Sequence, residues 1–177
     1  MPRLCDDLLA QAQELVQKDK KKPKQATVRR AVSTAYYALF HFFSDKITRA
    51  VVGGQNDRVE LRAWQARTLE HGAMKKVCNF FGNSNDRGFQ DFQAKLNFIT
   101  SPDIERIAQA FVELQELRHT ADYDLSEPVT KLDAANAIKL TKNAFKLWNQ
   151  LEQNQLHIKP LLIFSLSLFT GKTASKR

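Results

Sequence analysis

Arg118 sits where the period of its own helix calls for an apolar side chain. From Ser101 to Asp124 the sequence SPDIERIAQAFVELQELRHTADYD reads as a helix, and at about 100° per residue Ile104, Ile107, Phe111, Leu114 and Ala121 gather on one face. Arg118 projects from the middle of that face. A guanidinium cannot shed its charge, so in such a place it needs an acidic or hydroxyl partner, or it marks a cleft or subunit interface rather than sealed core. Asp122, one turn on, is the nearest carboxylate, and the hydroxyls of Tyr36 and Tyr37 on an earlier helix can complete a buried polar network of Arg118, Asp122, Tyr36 and Tyr37. A phosphate is the other natural partner, because a guanidinium presents a planar fork of donors to it.

A second feature also favours anions. Between Lys18 and Arg30 the sequence KDKKKPKQATVRR holds seven cations against one anion, Asp19, in a chain of net charge +8. Lys20, Lys21, Lys22, Lys24, Arg29 and Arg30 are therefore the candidate nucleic-acid contacts, and a solvated basic loop between two helices is the other reading of the same run. A pI near 9.6 agrees with acidic partners.

These residues need helices to position them. The 177-residue chain has only 6 Gly and 5 Pro, and its long uninterrupted stretches are rich in good helix formers. The expected fold is all-α: an antiparallel bundle of four to five main helices with a C-terminal extension. Residues 1–157 are read as a single bundle and 158–177 as a tail. The first helix is expected over Arg3 to Lys18 with Leu4, Leu8, Ala12 and Leu15 inside, and the second over Gln25 to Val51, apolar on nearly every side and so buried all round. Asp57 is placed as N-cap of a third helix, Arg58 to Phe81, interrupted at Gly72. Phe89 to Ile99 is a short helix or an ordered connector. Ser101-Pro102 starts the Arg118 helix. Thr130 and Asp133 resemble a capping box for a last helix to about Gln155, with an inner stripe of Ala134, Ala137, Ile138, Thr141, Ala144, Phe145, Trp148 and Leu151. After Pro160 the run LLIFSLSLF alternates in part; it packs on the bundle, adds to a partner's edge or stays mobile. Its nine residues fall short of the roughly 20 that a membrane helix needs.

Cys5 and Cys78 form no CxxC pair and lack His or Cys neighbours at ligand spacing, so no metal, cofactor or disulfide framework is expected. A reducing cytoplasm suits free thiols, and acidic residues stand where a signal peptide would carry its apolar run. No Gly-rich phosphate loop is present.

RRAVSTAYYALFHFF (Arg29 to Phe43), followed later in the chain by LRHTADYD (Leu117 to Asp124), resembles the HEPN superfamily of small helical bundles, in particular its bacterial and archaeal proteins with an R-x-x-A-D-Y segment. The likeness covers residues 25–151. It implies a bundle that pairs into a homodimer, with polar residues of the late helix lining a cleft between subunits. Many members of that superfamily are ribonucleases, often toxins held in check by a nucleotidyltransferase-type antitoxin; others are binding modules without activity. The ribonuclease signature is Arg-x4-6-His. None of His41, His71, His119 and His157 meets that spacing, and where four intervening residues after Arg118 would put the histidine the sequence has Tyr123.

Metal-independent RNA cleavage requires a base for the 2′-hydroxyl proton, a cation for the phosphorane and an acid for the leaving oxygen. Arg118 as cation, His119 as base and Tyr123 as acid are the candidate catalytic residues. The expectation is a homodimer that binds RNA or a nucleotide, as an endoribonuclease or as its non-catalytic relative in a defence or toxin-antitoxin pair. The alternative is a protein-interaction module that recruits a nucleotidyltransferase-type partner.

Overall fold

Helix boundaries in the computed structural model, which describes residues 3–18 and 23–173, follow local chemistry closely. Helix α1, Leu4–Lys18, carries Asp6 and Asp7 in its first turn and Lys18 in its last, each sign suiting its end of the helix dipole. Its buried positions are Cys5 and Ala12, while Leu4 is exposed and Leu8 and Leu15 are half-buried. The inward stripe is thus turned from the expected one, because the small side chains Cys5 and Ala12 take the closest approach.

Helix α2, Gln25–Val52, is buried on nearly every side from Ala31 to Thr48, as its all-round apolar pattern requires. It stops at Gly53, whose φ of +97° is the left-handed region that glycine adopts without strain. Asp57 does not cap the next helix. Asn56–Arg58 form a 3-10 turn, and helix α3, Val59–Ala66, follows Arg58 without a side-chain cap. Arginine donors shape the turn instead: Arg58 Nη1 donates to Val52 O at 2.6 Å, and Arg62 Nη1 to Gly53 O and Gln55 O, each at 2.8 Å.

The break before helix α4, His71–Phe81, falls at residues 67–70 rather than at Gly72. Thr68 Oγ1 donates to Gln65 O at 2.8 Å, and Leu69 turns inward to 8% exposure. Burying a leucine yields roughly 1.5–3 kcal/mol, whereas one glycine costs a helix only about 1 kcal/mol, so the leucine decides where the chain turns. Helix α5, Arg87–Leu96, starts where Asp86 accepts the Phe89 amide at 3.0 Å and ends at Asn97, left-handed at φ 49°.

Helix α6, Pro102–Tyr123, begins as expected, with Ser101 Oγ accepting the Asp103 amide at 3.2 Å. Helix α7, Lys131–Glu152, has both halves of its capping box: Asp133 N donates to Thr130 Oγ1 at 3.1 Å, and Thr130 N to Asp133 Oδ2 at 2.8 Å. Every residue of its expected inner stripe is buried. Residues 158–170 belong to helix α8, Gln155–Thr170, capped by Asn154 and closed by left-handed Gly171. Pro160, Leu161, Phe164, Ser165 and Leu168 form its buried stripe at helical spacing. The described residues contain no strand, so the fold is all-α, and none of their helices is long and apolar enough to cross a membrane.

The chain divides into two compact units, Met1–Phe42 with Ala110–Phe145, and Phe43–Gln109 with Lys146–Arg177. Within the first, Phe42 stacks on Phe145 at 4.1 Å, Tyr36 meets Phe111 at 5.7 Å, and Thr141 Oγ1 donates to Ala35 O at 3.0 Å. Within the second, aromatic rings make the core: Phe164 lies 4.8 Å from Phe81 and 5.9 Å from Trp148, and Phe81 lies 5.2 Å from Phe89. Glu152 accepts the Trp148 indole N–H at 3.0 Å and pairs with Lys46.

Two outcomes follow from this packing. Phe164→Ala should cost about 3–5 kcal/mol in urea denaturation, and a loss below about 1 kcal/mol would show that α8 is not part of the core. His41, half-buried on α2 and edge-on to Phe40, is held below its ordinary pKa of 6.5 by burial. The folded state therefore favours the neutral ring, and the unfolded chain binds the extra proton first as pH falls. This contribution to stability is complete above 6.5 and is lost as pH drops through the depressed value. His41→Gln should flatten that part of the stability profile between neutrality and pH 5; an unchanged profile would refute the assignment.

Candidate functional site

Arg29, Ser33 and Tyr37 follow each other at four-residue spacing and so lie along one edge of α2, a polar edge on an otherwise apolar helix. All three meet the last turns of α6 and the loop after it. The Arg29 guanidinium closes the C-terminal end of α6: Nη1 donates to Thr120 O at 3.2 Å, Ala121 O at 3.0 Å and Asp124 O at 2.8 Å, and Nη2 bonds Glu127 O. Thr120 O also accepts the Asp124 amide at 3.1 Å, while the carbonyls that follow it lie at or beyond the helix end, where helical donors run out, and a cation also suits the negative end of the helix. Arg29, one of the expected nucleic-acid contacts, is thus committed to backbone carbonyls.

Arg118 reaches the other way, from α6 to α2. Its Nη2 donates to Tyr37 Oη at 3.1 Å and to Tyr123 Oη at 3.3 Å. Its Nε lies 2.7 Å from Asp122 Oδ2, a Coulombic pair in which the N–H is not aligned on the oxygen. The other carboxylate oxygen of Asp122 accepts the Ser33 hydroxyl. Three rings surround the cation, with Cζ 5.2 Å from the centroid of Tyr123, 5.7 Å from Tyr37 and 5.9 Å from Tyr36, all within cation–π range. Tyr36 is fully buried and joins the network through its ring face.

The side chains of Arg118 and Asp122 retain 20% and 29% exposure, so the network is half-open rather than sealed. Desolvation pulls the Arg118 pKa down, but Tyr37, Asp122 and Tyr123 outweigh it and the net direction is up, leaving the group cationic at any physiological pH. Its Nη1 makes no hydrogen bond within the described structure, which leaves two N–H donors for an anion. His119 is exposed, and its ring centroid lies 5.2 Å from that of Tyr123, itself 62% exposed. Beyond the helix, Asp124 Oδ1 accepts the Ser126 hydroxyl at 2.6 Å, the Ser126 amide at 3.0 Å and the Glu127 amide at 3.3 Å. Those bonds hold the Asp124 carboxyl below the usual carboxylate range.

All six residues expected of the catalytic set or the polar network, Tyr36, Tyr37, Arg118, His119, Asp122 and Tyr123, therefore come together in one unit. Lys24 and Arg30 are exposed on the N-terminal side of α2. Lys20, Lys21 and Lys22 lie outside the described residues. Ser33 and the capping role of Arg29 were missed from the sequence, although four-residue spacing back from Tyr37 is the signal that leads to both. Among the described residues no group of three or more His, Cys, Asp and Glu side chains is placed to hold a metal ion.

Arg29→Met should lose about 1.5–3 kcal/mol in urea denaturation, the scale of charged hydrogen bonds, and speed amide exchange over residues 120–127. Loss of stability without faster exchange in that segment would show that Arg29 does not hold the end of α6. Comparison with family models, with curated proteins and with solved structures gives no match, so the functional argument is carried by the residues above.

Proposed function

We propose that this protein is a HEPN-like homodimer that binds RNA, with Arg118 as a phosphate ligand and the exposed His119 and Tyr123 rings beside it. The observation that carries the reading is the uncommitted Nη1 of Arg118: the guanidinium is oriented by Tyr37, Tyr123 and Asp122, yet retains donors at a half-open site. Orientation by three partners lowers the entropy lost when a phosphate docks. Exposed Lys24 and Arg30 add to the positive field that would draw a polyanion in, as would Lys20, Lys21 and Lys22. Its setting is a toxin-antitoxin or defence pair, in which a nucleotidyltransferase-type protein is the partner. Metal-independent cleavage is a second reading, favoured by one observation: His119, an exposed imidazole, adjoins the ring of Tyr123, whose hydroxyl accepts from Arg118.

The test is binding and cleavage of a labelled single-stranded RNA in EDTA, with Arg118→Gln verified as folded by circular dichroism. Binding to the parent should weaken steeply with salt, and Arg118→Gln should reduce the salt slope by about one phosphate contact. Replacing Lys20, Lys21, Lys22 and Lys24 by Ala should flatten it further. Cleavage by the parent that disappears in both Arg118→Gln and His119→Gln would favour the ribonuclease reading. Absence of any salt-dependent RNA binding would sink the proposal and leave a protein-interaction module.

A further inference from the structure

A cavity of about 680 Å³ in the second unit lies between the end of α5 with its connector into α6 and the first turns of α8. Its size is that of a small-molecule site. The connector owes its course to Asn97, whose left-handed backbone stops α5 and whose carbonyl accepts Lys159 Nζ from α8 at 2.8 Å. That bond ties the two walls together. Phe98 and Pro160 supply buried apolar surface, and Ile99 and Leu156, 85% and 81% exposed, also line the cavity. Lone exposed aliphatics are ordinary on a protein surface; two of the most exposed ones in the chain lining one concavity are not.

The charge of the lining is one-sided. Lys159 faces the cavity with the His157 imidazole near it, and among the described residues no carboxylate lines it. After its bond to Asn97, the Lys159 ammonium has further N–H donors to give. Ser101, at the start of α6, lines the cavity as well, but the amides of Asp103 and Ile104 are already bonded to it, so anion recognition falls to side chains and not to the helix end. In the same wall the Thr100 hydroxyl is buried without a hydrogen-bond partner, a polar group of the kind that a bound ligand commonly satisfies.

We propose that this cavity binds a small amphipathic monoanion, an aliphatic carboxylate whose chain lies against Phe98, Ile99 and Leu156 and whose head group is held by Lys159 and His157. This site is independent of Arg118 and of any RNA-binding role. Isothermal titration calorimetry of the full chain with decanoate tests it, with decanol as the uncharged counterpart of the same chain length. Decanoate should bind saturably at one site per chain and at least tenfold more tightly than decanol. Leu156→Glu, a change at an exposed position that leaves the core intact, should weaken decanoate at least tenfold by setting a like charge at the cavity. Lys159→Met, which keeps the aliphatic stem, should weaken it comparably. Equal affinity for decanol, or decanoate binding that Leu156→Glu leaves unmoved, would overturn the proposal. So would the absence of saturable binding, including the case in which Leu156→Glu alters only the oligomeric state in sedimentation, since the face would then be a protein contact.

Discussion

Arginine cannot escape a poor environment by losing its proton, so a guanidinium on the inner face of a helix constrains everything that packs near it. Arg118 is such a group, and three side chains are arranged around its donors: Tyr37 from α2, Asp122 one turn along α6, and Tyr123 beside it. Asp122 in turn engages Ser33. Arg29 answers from the opposite direction, running from α2 to the carbonyls that end α6. Two arginines thus cross between the same two helix segments, and both must be satisfied at once. Sliding one segment by a single turn would strand a cation and several carbonyls, so the polar contacts fix a register that apolar packing alone leaves loose.

Energetically this arrangement specifies more than it stabilises. At 20% and 29% side-chain exposure, the Arg118–Asp122 pair is screened by water and contributes on the order of 1 kcal/mol or less. The ring contacts add a similar amount each only where they exclude solvent. Bulk stability comes from elsewhere, from Tyr36, Phe42, Phe111 and Phe145 in the first unit and from Phe81, Phe89, Trp148 and Phe164 in the second, all buried. A division of this kind suits a binding site. Changes within the polar cluster therefore cost the fold only a small share of its free energy.

What was legible in the sequence was whatever depends on period and local caps. The stripe of α7 and its Thr130–Asp133 box needed only residues close in the chain, and so did the Ser101 start of α6 and the Arg118–Asp122 pair. What depends on a distant partner was harder to read. Leu69, not Gly72, decides the α3–α4 break because burial outweighs a glycine's modest helix penalty. The LLIFSLSLF run has too few polar positions to distinguish period two from period 3.6; only the aromatic rings of Phe81 and Trp148 reveal which face of α8 goes inward. Arg29 looked like one more member of a basic run, since nothing in its neighbours says that the end of a helix lies against it. Ser33 was overlooked for a similar reason: a small hydroxyl amid apolar residues gains meaning only from the carboxylate opposite.

The positions of His119 and Tyr123 bear on what the cluster can do. Arg118 donates to the Tyr123 oxygen and so fixes where that hydroxyl sits. Yet the two rings lie 5.2 Å apart, close enough to be in contact. In-line cleavage of a phosphodiester needs its base and its acid on opposite sides of phosphorus, with the phosphate between them. The two rings stand side by side on one helix, so an in-line arrangement would draw one of the two groups from a second copy. On the RNA-binding proposal, His119 and Tyr123 would offer adjoining surfaces on which a base could stack beside a phosphate at Arg118, and cleavage would need the opposing group from a second copy. Binding asks only for an oriented cation, whereas cleavage also asks for two proton carriers held apart.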